Sequence, residues 1–326
     1  MKLRRVSQVC RTRGFILPFA LVLFGIALLT LWVAEAQLTD TSGQDYYLNA
    51  RPLLDYSLQD LLRAVPELRG LEPAPNQDDL ASILDKAGKV TEDLLDRMPN
   101  LVSHEEVIQQ KLGAPGRVMD HRRVQFDYMI LTHQQNQKVT LDEYRAGSDG
   151  SPLAMEGLEE GYMLTQGFAS EWLHFLPPAR PSARFRYLGQ QTDGGLRCYV
   201  VAFAQKPGFA TLTGTVVQAG RSVCLLYQGI AWIDEASFRI VRLRSDLLAP
   251  RPDIGLERQT VELHFGEVHL PQTVSALWLP QEVVVTTDMT DHLFRNIHRY
   301  SGYRLFKVET RILPAPPDQP PPKRSN

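Results

Sequence analysis

The sequence predicts an α+β protein in which helices near the N-terminus pack on an antiparallel sheet of about nine or ten strands. From about Ser103 onward, segments with strand-like composition alternate with short polar connections, which is typical of an antiparallel meander. Before that point, apolar residues recur at helical spacing in two separate segments. The proportions of 44% hydrophobic and 22% charged residues are ordinary for a globular protein.

The first 36 residues resemble a secretion signal. Five basic residues precede an uncharged apolar run at 14–34, and Ala34-Glu35-Ala36 forms an A-x-A cleavage site before Gln37. The apolar run is also long enough to span a bilayer, so an uncleaved N-terminal anchor in the inner membrane is the alternative. Both predictions place the rest of the chain outside the cytoplasm, either periplasmic or secreted, or facing the periplasm from the anchor.

Charge and composition indicate the partners and the regions of the chain after residue 36. Without residues 1–36, 30 basic and 36 acidic side chains remain, a formal charge near −6 that argues against a nucleic-acid partner. We expect a helical region at 37–102, a sheet domain at 103–312 and a proline-rich, disordered tail at 313–326.

Three helices are predicted. The first covers YSLQDLLRAV, with Ser57 as its N-cap and Pro66 at its end. The second, in NQDDLASILDKAGKVTEDLLDRM, has a one-sided apolar stripe and ends before Pro99. The third is a short helix in LTQGFASEWLHFLPP, whose aromatic residues recur at helical spacing. All three therefore need an apolar surface to cover.

The strands are predicted from alternating or continuous apolar runs between turn residues. The best hairpin signal is Asp193-Gly194-Gly195, between ARFRYLGQQ and RCYVVAFAQ. In YQGIAWIDEASFRIVRLRSDLL, apolar residues occupy both faces of the first strand, as expected when a sheet is covered on both sides. Asp234 in this stretch is predicted to bind backbone amides of a tight turn rather than to act as a catalytic acid.

Two cysteines, Cys198 and Cys224, follow the signal segment. In an oxidising compartment a single disulfide between them is the leading prediction, and two buried thiols are the alternative. Their spacing does not match a zinc site, and we predict no metal and no cofactor.

The sequence lacks the common catalytic motifs, including G-x-S-x-G, H-E-x-x-H and the Walker A loop. His104 and Glu105 form one cluster of titratable residues, and His292 and His298 belong to another. Neither cluster has the spacing of a ligand set, so we predict that no residue is catalytic and that the protein is not an enzyme. A hydrolase that uses these residues is the least favoured alternative.

The segments YQGIAWID, FRIVRLRSDLL, RQTVELHFGEV, LWLPQEVVV and FRNIHRYSGYRLFKVE resemble an uncharacterised family of secreted bacterial proteins. More distantly, they resemble the LolA/LolB-like proteins that sort lipoproteins to the outer membrane. The first resemblance runs from about Leu80 to Ile312, and the second covers mainly Phe185 to Val308. The second implies a strongly curved, incomplete antiparallel barrel whose concave apolar face is covered by helices and holds acyl chains.

The resemblance implies a non-enzymatic cell-envelope protein that binds a lipid, a lipoprotein acyl chain or another apolar ligand. An envelope protein is the expected macromolecular partner. The alternative is a structural or interaction module whose concave face is filled by its own helices. The residues expected to form the wall and lid of the binding site are Leu84, Leu94, Phe168, Trp172, Trp232 and Trp278.

Overall fold

The computed structural model describes residues 2–3, 44–114, 116–135, 138–147, 168–218, 221–270 and 276–306. Apart from Lys2–Leu3, the expected signal segment lies outside the described residues, and so does the proline-rich tail. The helices are α1 (Gln44–Leu48), α2 (Leu58–Ala64) and α3 (Leu80–Asp96). Short 3-10 helices cover Leu53–Asp55, Pro66–Leu68, Phe168–Phe175, Arg180–Ser182 and Pro252–Ile254.

Eleven antiparallel strands of the described residues form one large sheet. Its strands are β2 (Glu72–Pro73), β3 (Leu101–Gly113), β4 (Arg117–Gln135), β5 (Lys138–Ala146), β6 (Ala183–Asp193), β7 (Leu196–Gln205), β10 (Tyr227–Asp234), β11 (Ile240–Leu247), β12 (Leu256–Val268), β13 (Leu277–Met289) and β14 (His292–Leu305). Their order across the sheet is β2-β6-β7-β10-β11-β12-β13-β14-β3-β4-β5. A small sheet joins β1 (Lys2–Leu3), β8 (Gly214–Gln218) and β9 (Arg221–Leu225).

The large sheet is curved and does not close. The helix Phe168–Phe175 contacts β5, β11 and β13, and β5 lies six strands from β11 in the sheet. Six steps span about 29 Å in a flat sheet, whereas an eight-residue 3-10 helix is about 16 Å long. The sheet must therefore curl around this helix, and its two end strands β2 and β5 are not paired with each other. The predicted incomplete barrel is confirmed.

Both faces of the sheet are covered, as the pattern at Ile230–Ile233 predicts. Ala231 and Ile233 face the concave side and belong to an apolar core with α3 and the helix Phe168–Phe175. Ile230 and Trp232 face the convex side and pack against the N-terminal helical segments. The main N-terminal contributors on the convex side are Tyr47, Leu53, Leu54, Leu61, Val65 and Leu68.

The predicted N-cap of α2 and the predicted apolar stripe of α3 are confirmed. Ser57 caps α2, where its hydroxyl accepts a hydrogen bond from the Asp60 amide at 3.1 Å. The apolar stripe of α3 is buried on the concave face, and Gly88 allows a close approach to the helix Phe168–Phe175. A Cβ atom at Gly88 would lie 2.9 Å from the Phe175 carbonyl oxygen. The middle of α3 is therefore packed closely against this helix.

Two strands of the large sheet, β2 and β3, lack the residue pattern from which a strand is predicted. The inward positions of β3 include Ser103, Glu105 and Gln109, which are buried although they are polar. Alternation of apolar and polar residues is the usual sign of a half-buried strand, and polar inward residues remove it. The segment SVCLLYQGIAWID also divides into β9 and β10, which belong to different sheets.

Candidate functional site

A small cavity lies on the concave face, between the second half of α3 and the sheet. Its volume is about 50 Å³. The lining is mainly apolar and aromatic, with two arginines: Val90, Thr91, Leu94, Arg97, Trp172, Arg239, Ile240, Phe265, Ala276 and Trp278. Whereas the first half of α3 is closely packed, Val90 and Leu94 of the second half are only half-buried. The cavity therefore lies beside these two half-buried side chains, while Thr91 and Leu95 of the same half are buried.

The turn between β10 and β11 forms one side of this cavity. The Asp234 carboxylate accepts hydrogen bonds from the Ser237 amide at 2.8 Å and from the Ser237 hydroxyl at 2.5 Å. This confirms the predicted role of Asp234 in a turn. Phe238 has a φ of 57°, which is unusual for a residue other than glycine. Its ring stacks on Tyr199 at a centroid distance of 5.8 Å. The next residue, Arg239, lines the cavity.

Two tryptophans, Trp172 and Trp278, form part of the cavity wall. Trp172 is buried on the helix Phe168–Phe175. Trp278 of β13 donates a hydrogen bond from its indole nitrogen to the Ile240 carbonyl oxygen at 2.8 Å. The Arg239 guanidinium carbon lies 5.4 Å from the centroid of the Trp278 ring, within the range of a cation–π contact.

The structure brings three of the six expected wall and lid residues together at the cavity, namely Leu94, Trp172 and Trp278. Leu84 also faces the concave side, but it is buried in the apolar core. Phe168 begins its helix, and its side chain lies outside the described part of the chain.

Trp232 does not join this group. It is fully buried on the convex face, where its indole nitrogen donates to the Gln191 side-chain oxygen at 2.9 Å. The Arg242 guanidinium carbon lies 4.7 Å from the centroid of its ring. Adjacent residues of a strand point to opposite faces, so the one-residue step between Trp232 and Ile233 decides which face each side chain covers.

The predicted disulfide is wrong, because both cysteines are thiols in the structure, Cys198 buried and Cys224 half-buried. Cys198 is buried on β7, and burial raises the pKa of its thiol to about 12. Cys224 lies on β9 in the small sheet, and its carbonyl oxygen accepts a hydrogen bond from Arg251 at 2.8 Å.

A buried polar network occupies another part of the concave face. Glu105 of β3 is completely buried and accepts a hydrogen bond from Arg145 Nη2 at 2.7 Å, with a second from Arg145 Nε. His298 Nδ1 lies 2.8 Å from Glu105 Oε1, and the Tyr300 hydroxyl donates to the same oxygen at 3.0 Å. Strands β3, β5 and β14 are thereby joined through one carboxylate.

Electrostatics keep Glu105 ionised in spite of its burial. Burial by itself raises the pKa of Glu105, but the charge and hydrogen bonds of Arg145, together with the His298 hydrogen bond, lower this pKa to about 2. Burial lowers the pKa of His298, so this histidine is neutral at pH 7. An ionised carboxylate only accepts hydrogen bonds, so the proton of neutral His298 lies on Nδ1.

The residues considered for a hydrolase are only partly brought together. Glu105 and His298 are in contact, although they are 193 positions apart in the sequence. His104 points to the opposite side of β3 from Glu105, and His292 stacks on Phe294 at a centroid distance of 5.7 Å. In the described part of the chain, no group of three or more His, Cys, Asp or Glu residues is placed to hold a metal ion.

Three arginines, in the cavity and in the buried network around Glu105, were not predicted from the sequence. Arg97 and Arg239 line the cavity, and Arg145 pairs with Glu105. The position of Arg239 directly after a turn is a weak local signal. The place of Arg97 at the cavity and the pairing of Arg145 with Glu105 depend on residues distant in sequence, which no local pattern reveals.

The fold and the cavity together define a class of protein, an open, curled antiparallel sheet with a helix lying in its concave face. No family model matches the chain, and no curated protein matches its sequence. Among the described residues, no helix has both the length and the apolar character needed to cross a membrane.

Several solved structures resemble this chain at low identity. One is a domain named for outer membrane lipoprotein sorting, from Vibrio parahaemolyticus, with a TM-score of 0.35, 12% identity and coverage of 68% of this chain and 93% of that chain. A DUF1329 family protein from Desulfovibrio piger has a TM-score of 0.40, 12% identity and coverage of 70% and 93%. A LolA superfamily protein from Nitrosomonas europaea has a TM-score of 0.33, 12% identity and coverage of 70% and 94%. These likenesses concern the general fold alone.

Proposed function

We propose that this protein is a non-enzymatic cell-envelope protein that binds a lipid, a lipoprotein acyl chain or another apolar ligand on the concave face of its sheet. The observation that carries the proposal is the cavity beside the second half of α3, with Leu94, Trp172 and Trp278 in its lining. Binding by such a surface needs no reactive residue, because each buried methylene contributes about 0.8 kcal/mol.

An acyl chain needs more room than the cavity offers. A volume of about 50 Å³ holds roughly three to five water-sized groups. The second half of α3 must therefore move away from the sheet for a chain to enter, with Val90 and Leu94 at its edge. The tight contact at Gly88 anchors the middle of the helix. In this proposal α3 acts as a lid whose C-terminal end moves outward, which also takes Leu95 and Met98 out of the concave core.

Filling the cavity tests this function. We expect Leu94→Trp to lower the affinity for a fluorescent fatty acid by at least about tenfold, because the larger side chain occupies the site, a loss of about 1.4 kcal/mol. Affinity is measured by fluorescence titration of the purified protein, together with mass spectrometry of its organic-solvent extract. The control is Leu62→Trp on α2, where the native side chain is 38% exposed. A protein that is reproducibly empty and binds no fatty acid would contradict the proposal.

A second candidate is a structural module whose concave face is filled by its own helix. The observation that favours it is the burial of Ile83, Leu84, Ala87 and Leu95 of α3 in the concave core. In that case the cavity is a packing gap, and function lies on an exposed surface that meets another envelope protein.

Two leucine truncations on α3 separate these candidates. If α3 is a lid, Leu84→Ala should lower the free energy of unfolding by about 2–5 kcal/mol, whereas Leu94→Ala should cost about 1 kcal/mol or less and weaken ligand binding. If α3 is a permanent part of the core, both truncations destabilise the fold by similar amounts and neither affects ligand binding. Urea unfolding followed by tryptophan fluorescence gives the first quantity, and the fatty-acid titration gives the second.

A further inference from the structure

We propose that the ligand of this cavity is an amphiphile with an anionic head group, which Arg97 and Arg239 bind at the mouth of the cavity. This inference rests on the proposed function and specifies the chemical class of its ligand. Both arginines line the same cavity, one from the C-terminal end of α3 and the other from the turn before β11. The two arginines therefore line the cavity from different elements, Arg97 from the helix and Arg239 from a turn between two strands of the sheet.

Each arginine is held in place by a contact that does not involve a carboxylate. Arg97 Nε donates to the Asp93 carbonyl oxygen at 2.8 Å, which directs the side chain along the last turn of α3. The Arg239 guanidinium lies on the face of Trp278. Within the described ranges of the chain, neither guanidinium forms an ion pair. Among the described residues, the remaining donors of both groups therefore have no acidic partner.

Arginines further along β11 behave differently. Arg242 bonds to both Asp193 and Glu262 at 3.1 Å, and Arg244 bonds to Asp246 and Glu67 at 2.8 Å. Their positive charges are neutralised by protein carboxylates. Arg239 therefore differs from its neighbours in the same strand region, because no carboxylate of the described residues pairs with it.

The charge balance at the mouth favours an anion. The C-terminal end of α3 contributes only a partial negative charge, about half an elementary charge, against two full positive charges. Asp93, Asp96 and Arg97 are all exposed, so solvent screens their charges alike, whereas Arg239 is half-buried and less screened. A guanidinium presents parallel N–H groups that match a carboxylate or a phosphate. The apolar lining behind the arginines, formed by Leu94, Trp172 and Phe265, suits the hydrocarbon part of the same molecule.

Three probes with the same oleoyl chain test the inference: oleate, oleoyl lysophosphatidate and neutral monooleoylglycerol. We expect the full-length protein to bind at least one anionic probe about tenfold more tightly than the neutral one, the ratio expected for one net charge-assisted contact. The tighter of the two anionic probes identifies the head group as a carboxylate or a phosphate. The preference should also decrease as salt concentration rises, because the arginines are near the surface.

Variants of the two arginines locate the effect. Arg97→Gln and Arg239→Gln should each reduce the preference for the anionic probe, and the double variant should abolish it, while affinity for monooleoylglycerol stays within about twofold. Arg258→Gln is the control, because this arginine is 79% exposed on β12 and paired with Asp288. Thermal unfolding checks that each variant is folded, and Arg97→Gln alone suffices if the loss of the Arg239 contact with Trp278 unfolds the protein.

The outcomes distinguish the head-group inference from the proposed lipid-binding function. Equal binding of all three probes, unchanged in the variants, would overturn the head-group inference and leave the proposed lipid-binding function intact. Absence of binding by every probe would overturn both. An anionic preference that survives the double variant would place the head group elsewhere and would also overturn the inference.

Discussion

Replacement of Glu105 by alanine is expected to lower the free energy of unfolding by about 3–5 kcal/mol. The change leaves the Arg145 guanidinium buried without its counter-charge and removes the acceptor for His298 and Tyr300. A buried charge without a partner costs much more than the pair itself contributes. Urea unfolding followed by circular dichroism measures the loss.

The adjacent residue supplies the control for this prediction. Glu106 faces the other side of β3 and pairs with Arg123, whose side chain is 62% exposed. Glu106→Ala should therefore cost no more than about 1 kcal/mol. The double variant Glu105→Leu with Arg145→Met should recover part of the loss, because it removes both buried charges. Equal losses for Glu105→Ala and Glu106→Ala would show that the buried network does not stabilise the sheet.

The same carboxylate predicts a pH dependence. The pKa of Glu105 falls from its ordinary value of 4.5 to about 2 on folding. A group whose pKa is lowered in the folded state stabilises the protein above the pKa of the unfolded state. This contribution is lost as the pH falls from about 4.5 towards about 2. Glu105→Gln should therefore show a smaller loss of stability across this window than the unmodified protein.

Truncation of Trp232 to alanine is expected to cost about 3–5 kcal/mol, the range for a large aromatic side chain in a core. The ring fills the convex core between the sheet and the N-terminal helices, and its loss leaves the Gln191 oxygen without its indole donor. Leu196→Ala is the control, since Leu196 is 41% exposed on β7. Chemical unfolding of the two variants measures the difference.

Variants of Trp232 also test which face of the sheet binds the ligand. Because it packs on the side of the sheet opposite to the cavity, a conservative change such as Trp232→Phe should leave fatty-acid affinity within about twofold. Trp278→Phe removes a residue of the cavity wall and should weaken binding. A loss of affinity in Trp232→Phe that matches the loss in Trp278→Phe would contradict the placement of the ligand on the concave face.

Local sequence signals were sufficient where the stabilising contacts are local. The capping of α2 by Ser57 and the turn at Asp234 depend on residues within three positions of each other, and both are predicted correctly. The two-sided burial of Ile230–Ile233 follows from the continuous apolar run itself. These features, with the alternation of most strands, are enough to predict an antiparallel sheet with helices on it.

The candidate site required the tertiary structure because its members come from distant parts of the chain. Leu94, Trp172 and Trp278 meet only when the sheet curls around the helix Phe168–Phe175. β3 was not identified as a strand because its inward residues are polar, and they become acceptable in the core only through partners such as Arg145 on β5.

The amino-acid sequence alone therefore determined the class of fold, most of its strands and the turn that precedes Arg239, since these depend on periodicity and on short-range hydrogen bonds. Tertiary structure decided which face each apolar residue covers, that Trp232 lies away from the cavity, and that Arg97 and Arg239 line it together. The physical reason is that strand pairing and curvature bring together side chains more than a hundred residues apart, and a pattern read along the chain does not contain those distances.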